Sequence, residues 1–183
     1  LLVGQSMCCR VVMFSWRQSK DRVSSLVLVD GSRVGVAKAV GQASWNAAIE
    51  EKGYKTVVRA LFEEMFFGDP PSWRDAAIEN VLSVPESTGV PLFNALVEWD
   101  AEQLVSTMAS LDIPVLVLQS TTMSFDRVRR RLTEGEFGPF QKLALKSVAG
   151  AESETIAGAG HFSMMEAPAA INARIARFIA ERL

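Results

Sequence analysis

The chain has 183 residues, 49% hydrophobic and 22% charged, with a formal net charge of -2. That is enough apolar material for one sizeable core with or without a helical satellite, and the near-neutral balance supplies no basic surface for nucleic acid. No apolar run reaches the roughly eighteen residues that cross a bilayer, so no membrane partner is expected, and the two adjacent cysteines, Cys8 and Cys9, make no disulfide framework and fit a cytoplasmic location.

Leu1-Leu2-Val3 reads as the end of an apolar strand that runs straight into Gly4-Gln5-Ser6-Met7-Cys8, and residues 7–16 read as an apolar helix. A serine on a sharp turn between strand and helix has its hydroxyl lifted above the sheet, and the helix N-terminus offers backbone N–H groups to a developing oxyanion. Gly4 suits the tight turn, and the residue two beyond the serine must be small if the helix is to leave the sheet closely packed. Cys8 occupies that position, a departure from Gly-x-Ser-x-Gly, and both cysteines are expected at buried helix positions. Residues 26–29 form a second buried strand, which ends at Asp30 before the turn residues Gly31-Ser32.

From residue 35 the pattern changes. Residues 35–52, 54–67, 73–82 and 92–108 read as four helices, interrupted by Asp69-Pro70-Pro71-Ser72 and by the proline-bounded residues 85–91, with no strand signal among them. The aromatic and methionine residues of this region, at helical spacing, are expected mostly to pack between the helices, with some lining a pocket. Residues 113–118 read as another buried strand. The basic run Arg127-Val128-Arg129-Arg130-Arg131, followed by Glu134 and Glu136, reads as a solvated helix face. The only histidine, His161, stands in Gly158-Ala159-Gly160-His161-Phe162, and from Ala167 an amphipathic helix carries Ile171, Ile175, Phe178 and Ile179.

Taken together, the Gly4-Gln5-Ser6-Met7-Cys8 turn, the strand ending at Asp30, the strand at residues 113–118 and the Gly160-His161-Phe162 loop resemble the α/β-hydrolase family over most of the chain. The resemblance implies an α/β fold, a mostly parallel sheet flanked by helices, with the elbow followed by the family's sixth and seventh strands. It divides the chain into hydrolase core (residues 1–34), a helical cap inserted after the sixth strand (residues 35–110) and the rest of the core (residues 111–183). The family's first four strands have no counterpart here, so the chain is expected to be the C-terminal part of a hydrolase, and its exposed strand edge offers a route to a homo-oligomer.

The resemblance also implies roles. Ser6 is the nucleophile, His161 its base, and the Met7 backbone N–H one oxyanion donor. A buried carboxylate must complete the set. The family most often carries it after the seventh strand, where this chain reads Gln119-Ser120-Thr121-Thr122-Met123-Ser124 and has no carboxylate before Asp126. Some relatives, the haloalkane dehalogenases among them, carry the acid after the sixth strand, the place of Asp30. Asp30 is therefore the expected acid and Asp126 the alternative. Phe66, Trp99, Phe162 and Met164 are expected to line a substrate pocket. Such a site hydrolyses a small apolar carboxylic ester through an acyl-enzyme with no cofactor and no metal. The same residues serve lactone, amide or carbon–carbon bond hydrolysis, and an inactive hydrolase-like binding protein or a fragment remains the alternative.

Overall fold

The computed structural model describes residues 1–34, 38–123 and 128–182. The chain opens with strand β1 (Leu2–Gln5), helix α1 (Cys8–Gln18), one 3-10 turn at Lys20–Arg22 and strand β2 (Leu26–Val29). Helices α2 (Lys38–Lys52), α3 (Tyr54–Glu63), α4 (Arg74–Leu82), α5 (Glu86–Glu102) and α6 (Leu104–Ala109) follow without a strand. The remainder comprises β3 (Val115–Gln119), β4 (Thr121–Met123), β5 (Arg129–Arg131), α7 (Pro139–Ser147), β6 (Glu152–Thr155), the short α8 (Ser163–Glu166) and α9 (Pro168–Arg182).

β1, β2, β3 and β6 pair in that order, all parallel, and β4 and β5 form a separate antiparallel ribbon. Leu26-Val27-Leu28-Val29 and Val115-Leu116-Val117-Leu118 are buried on both faces, which is why they read as unbroken apolar runs rather than alternating ones. Burying each such side chain is worth about 1.5–3 kcal/mol. Val27, Val29, Leu116 and Leu118 join Ile156, Ile171 and Phe178 in one core cluster. The alternate side chains Leu26 and Leu28 point to the other face, where α1 packs with Cys9, Val12, Met13 and Trp16 buried at three- and four-residue spacing.

Several expectations are corrected. Cys8 is exposed, and only Cys9 is buried. β6, Glu152-Ser153-Glu154-Thr155, has no apolar signature yet pairs with β3, because α9 supplies its counter-charges: Arg174 pairs with both Glu152 and Glu154, Arg177 with Glu154 and Arg182 with Glu152. Arg174 thereby takes a buried place on the helix face with Ile171 and Phe178, while Ile179 is exposed. Of the basic run, Arg127 lies outside the described residues, and Arg129-Arg130-Arg131 is strand β5, paired with β4, rather than a helix face.

The chain divides into two compact units, Leu1–Arg33 with Leu104–Leu183, and Val34–Gln103. The second contains α2 to α5 and its own core of Trp45, Ile49, Tyr54, Val58, Ile78 and Leu82, with Trp45 stacked on Phe93 at 4.0 Å. Residues 86–91 are helical, with Pro91 inside α5. Pro91 costs a helical hydrogen bond, and packing offsets it. Tyr54 lies so close to Gly89 that a Cβ there would sit 1.9 Å from its hydroxyl oxygen. The helix expected over residues 92–108 breaks at Gln103, and α6 belongs to the sheet unit, where Leu104, Thr107 and Met108 are buried and Arg17 of α1 donates to Thr107 Oγ1 at 3.4 Å.

Candidate active site

The turn after β1 begins with a close approach. A Cβ on Gly4 would lie 2.4 Å from the Cys8 carbonyl oxygen and 2.8 Å from Val12 Cγ2, so only glycine lets α1 cross β1 at this distance. Ser6 follows with φ of 53°, in the left-handed region, a conformation that costs a non-glycine residue about 1–2 kcal/mol. Local bonds hold it there. The Ser6 N–H donates to Val29 O at 2.8 Å, and its carbonyl accepts from Cys9 N–H at 3.2 Å and from the buried Arg10 guanidinium at 3.1 Å. Arg10 also donates to Ser32 O at 2.6 Å, tying the turn after β1 to the turn after β2. Cys8 is tolerated because its side chain faces outward.

His161 comes from the loop between β6 and α8. Its Nε2 lies 2.8 Å from Ser6 Oγ. The loop is fixed by its backbone: Gly160 N–H donates to Glu166 Oε2 at 2.7 Å, and His161 O accepts from Gln5 Nε2 at 3.1 Å. The other ring nitrogen, Nδ1, lies 3.1 Å from Arg129 NH1. A guanidinium can only donate, so Nδ1 is the bare acceptor and the neutral ring carries its proton on Nε2, directed at Ser6 Oγ. Burial, and then the Arg129 charge, hold the His161 pKa well below the usual histidine range.

Asp30, like Ser6, stands at a positive φ, 47°, just beyond a strand end, and is fully buried. Its carboxyl makes no hydrogen bond to the His161 ring. Oδ1 accepts from the backbone N–H groups of Ser120 at 2.9 Å and Thr121 at 3.0 Å; Oδ2 lies 2.5 Å from Ser120 Oγ and 2.8 Å from Ser163 Oγ. The expected direct hydrogen bond from Asp30 to His161 is not present: the carboxyl is engaged by Ser120, Thr121 and Ser163, and Nδ1 meets Arg129. Burial raises its pKa, and these hydrogen bonds oppose the rise.

Solved structures of the same architecture are numerous. The chain superposes on an esterase from Exiguobacterium antarcticum with a TM-score of 0.70 at 16% identity, covering 98% of this chain and 66% of that one. An enol-lactonase from Burkholderia xenovorans LB400 gives 0.68 at 16% identity, over 97% and 64%, and a bromoperoxidase from Bacillus anthracis 0.71 at 13%, over 98% and 66%. The chain has the α/β-hydrolase fold. It spans less than two thirds of the length of each of these structures. No family model and no curated protein matches the sequence itself.

Within the α/β-hydrolase fold the other expected residues fall as follows. Met7, next to Ser6, is the N-cap of α1. Phe162 meets the His161 ring edge-on at 5.7 Å, and Met164 packs against the sheet core. In the helical unit, Phe66 packs against that unit's core and lies 5.4 Å from Trp73, while Trp99 is half-buried in α5. Asp126 lies outside the described residues. Among the described residues no three His, Cys, Asp or Glu side chains come together as a metal site. Sequence reasoning missed Arg129, Ser120, Ser163 and Glu166. Hydroxyls where the seventh strand's acid was expected were the one available signal.

Proposed function

We propose that the chain is the catalytic part of a serine hydrolase acting on a small apolar carboxylic ester. The observation that carries this reading is the Ser6 hydroxyl, held on a left-handed turn at a helix N-terminus 2.8 Å from His161 Nε2. Ser6 attacks the ester carbonyl as His161 takes its proton, the Met7 N–H stabilises the oxyanion, and His161 then protonates the leaving alcohol and activates the water that clears the acyl-enzyme. Attack requires the proton on Nδ1 and a bare Nε2. The arrangement with Arg129 on Nδ1 is therefore the resting one, and the guanidinium leaves that nitrogen in the reactive state. A lactone is an ester closed into a ring and is the next substrate class, in keeping with the enol-lactonase of the same fold.

A fluorophosphonate labels only an activated serine. Intact-mass and peptide analysis is expected to find one adduct, on Ser6, absent from Ser6→Ala and strongly reduced in His161→Ala. A second reading, a ligand-binding protein that keeps the fold without turnover, is favoured by the Arg129 contact. Failure of the folded wild-type chain to label overturns the first reading.

A further inference from the structure

The oxygen atoms around Asp30 are too many for the protons of the neighbouring hydroxyls. Ser120 Oγ lies 2.5 Å from Asp30 Oδ2 and also 2.5 Å from the Gly160 carbonyl oxygen. A hydroxyl has one proton to donate. If Asp30 is ionised, both neighbours of Ser120 Oγ are pure acceptors, and one 2.5 Å contact is left as two oxygens with no proton between them. If Asp30 carries a proton on Oδ2, every contact is satisfied. Oδ2–H donates to Ser120 Oγ, Ser120 Oγ–H donates to Gly160 O, Ser163 Oγ–H donates to Oδ2, and Oδ1 accepts the N–H groups of Ser120 and Thr121.

We infer that Asp30 is a neutral carboxylic acid, protonated on Oδ2, and that it is a positioning residue: through Ser120 and Ser163 it fixes both flanks of His161 to the ends of β2 and β3.

The surrounding charges agree. Asp30 is fully buried, and among the described residues it forms no ion pair. Among the described residues the Arg10 guanidinium donates to the Ser6 and Ser32 carbonyls, and Arg129 donates to Thr121 Oγ1 at 3.1 Å, itself 3.4 Å from Oδ1. Cys9 in α1 directs its thiol to Gly4 O and Val29 O, and burial pushes it up to about 12, so it too is neutral. Burial without an ion pair among the described residues disfavours the ionised carboxylate. The Asp30 pKa is raised, burial being its largest cause. Gly160 and Ser163 bracket the histidine, so the carboxyl acts on His161 through the loop and not through the ring.

This role rests on the proposal that Ser6 and His161 react, but the proton itself is tested separately. Infrared difference spectra of the wild-type chain against Asp30→Asn are expected to show, at neutral pH, a carboxylic C=O stretching band that shifts in deuterated water and is missing from the variant. Asparagine keeps the pattern of one donor toward Ser120 and one acceptor for the N–H groups. Asp30→Asn should therefore label Ser6 within about threefold of wild type, whereas Asp30→Ala, which leaves Ser163 Oγ–H and the Ser120 and Thr121 N–H groups without their acceptor, should slow labelling at least about tenfold. Absence of the band overturns the inference, and so does a loss of the order of ten-thousandfold in Asp30→Asn, the effect of amidating an ionised acid that orients a catalytic histidine. A folded wild type that does not label defeats the hydrolase reading alone, and the band still decides the protonation of Asp30. Should Asp30→Ala fail to fold, the band and the asparagine rescue decide.

Discussion

Replacing Arg129 by methionine is expected to make Ser6 more reactive. In the resting arrangement the guanidinium lies 3.1 Å from His161 Nδ1, and when His161 takes the serine proton the ring becomes a cation beside another cation. Two unit charges about 4 Å apart repel by about 4 kcal/mol at an effective dielectric constant of about 20, suited to a half-buried pair. At about 1.4 kcal/mol per factor of ten, full relief corresponds to about a thousandfold, and a wild-type guanidinium that moves aside recovers part of it. Arg129→Met should therefore accelerate fluorophosphonate labelling by about tenfold to a thousandfold. Methionine keeps an apolar stem, and the β4–β5 pairing is made by backbone, so the ribbon is retained. The pH profile supplies a second readout. Burial and then Arg129 hold the His161 pKa down, so removing the charge raises it and moves the acid limb of labelling upward, toward about 6.5. Arg129→Lys keeps the charge and should stay slow. Labelling rates for Arg129→Met equal to or below wild type, with the acid limb unmoved, refute the reasoning.

Three further outcomes concern stability. Asp30 stays protonated in the folded chain above its ordinary 3.8, whereas the unfolded chain loses that proton near 3.8. The folded state then holds more protons, so wild type loses stability relative to Asp30→Asn by about 1.4 kcal/mol per pH unit as pH rises from about 4 toward the folded pKa, and no more above it. His161 has the opposite sign: neutral in the fold, it loses stability as pH falls through 6.5, where the unfolded histidine takes a proton. Urea midpoints of wild type, Asp30→Asn and His161→Gln across this range separate the two, and an Asp30 difference that grows toward acid pH refutes the first. Gly4→Ala places its Cβ 2.4 Å from a backbone carbonyl, which no rotamer can relieve. It should cost about 1–3 kcal/mol or more and lower Tm by at least several degrees, with Ser6 labelling reduced because the turn shifts; an unchanged Tm by calorimetry contradicts the claimed close approach.

What could be read from the sequence follows from how locally each feature is determined. The turn at Gly4 and Ser6 is set largely by the adjoining helix, with Cys8, Cys9 and Arg10 in its first turn, and β2 and β3 by burial on both faces, so both were legible. β6 was not. Glu152-Ser153-Glu154-Thr155 is a strand only because Arg174 and its neighbours in α9, about twenty residues on, meet its carboxylates. Residues 85–91 carry two proline signals, yet α5 opens at Glu86, with Tyr54, more than thirty residues earlier, packed on Gly89.

The site divides along the same line. Ser6 and His161 could be singled out from their own segments because a strained turn and a glycine-flanked histidine are written locally. The role of Asp30 is written in three places at once: its own position after β2, Ser120 ninety residues later and Ser163 after the histidine. An aspartate at the end of a strand looks the same whether it faces an imidazole or a set of hydroxyls. What distinguishes the two is where protons can go, and residues 119–124 held that information. A stretch expected to donate a carboxylate contains instead Ser120 and Thr121, whose N–H and O–H groups claim one. Those groups engage Asp30, while Nδ1 of His161 meets Arg129, a residue whose neighbours in sequence suggested only a solvated surface.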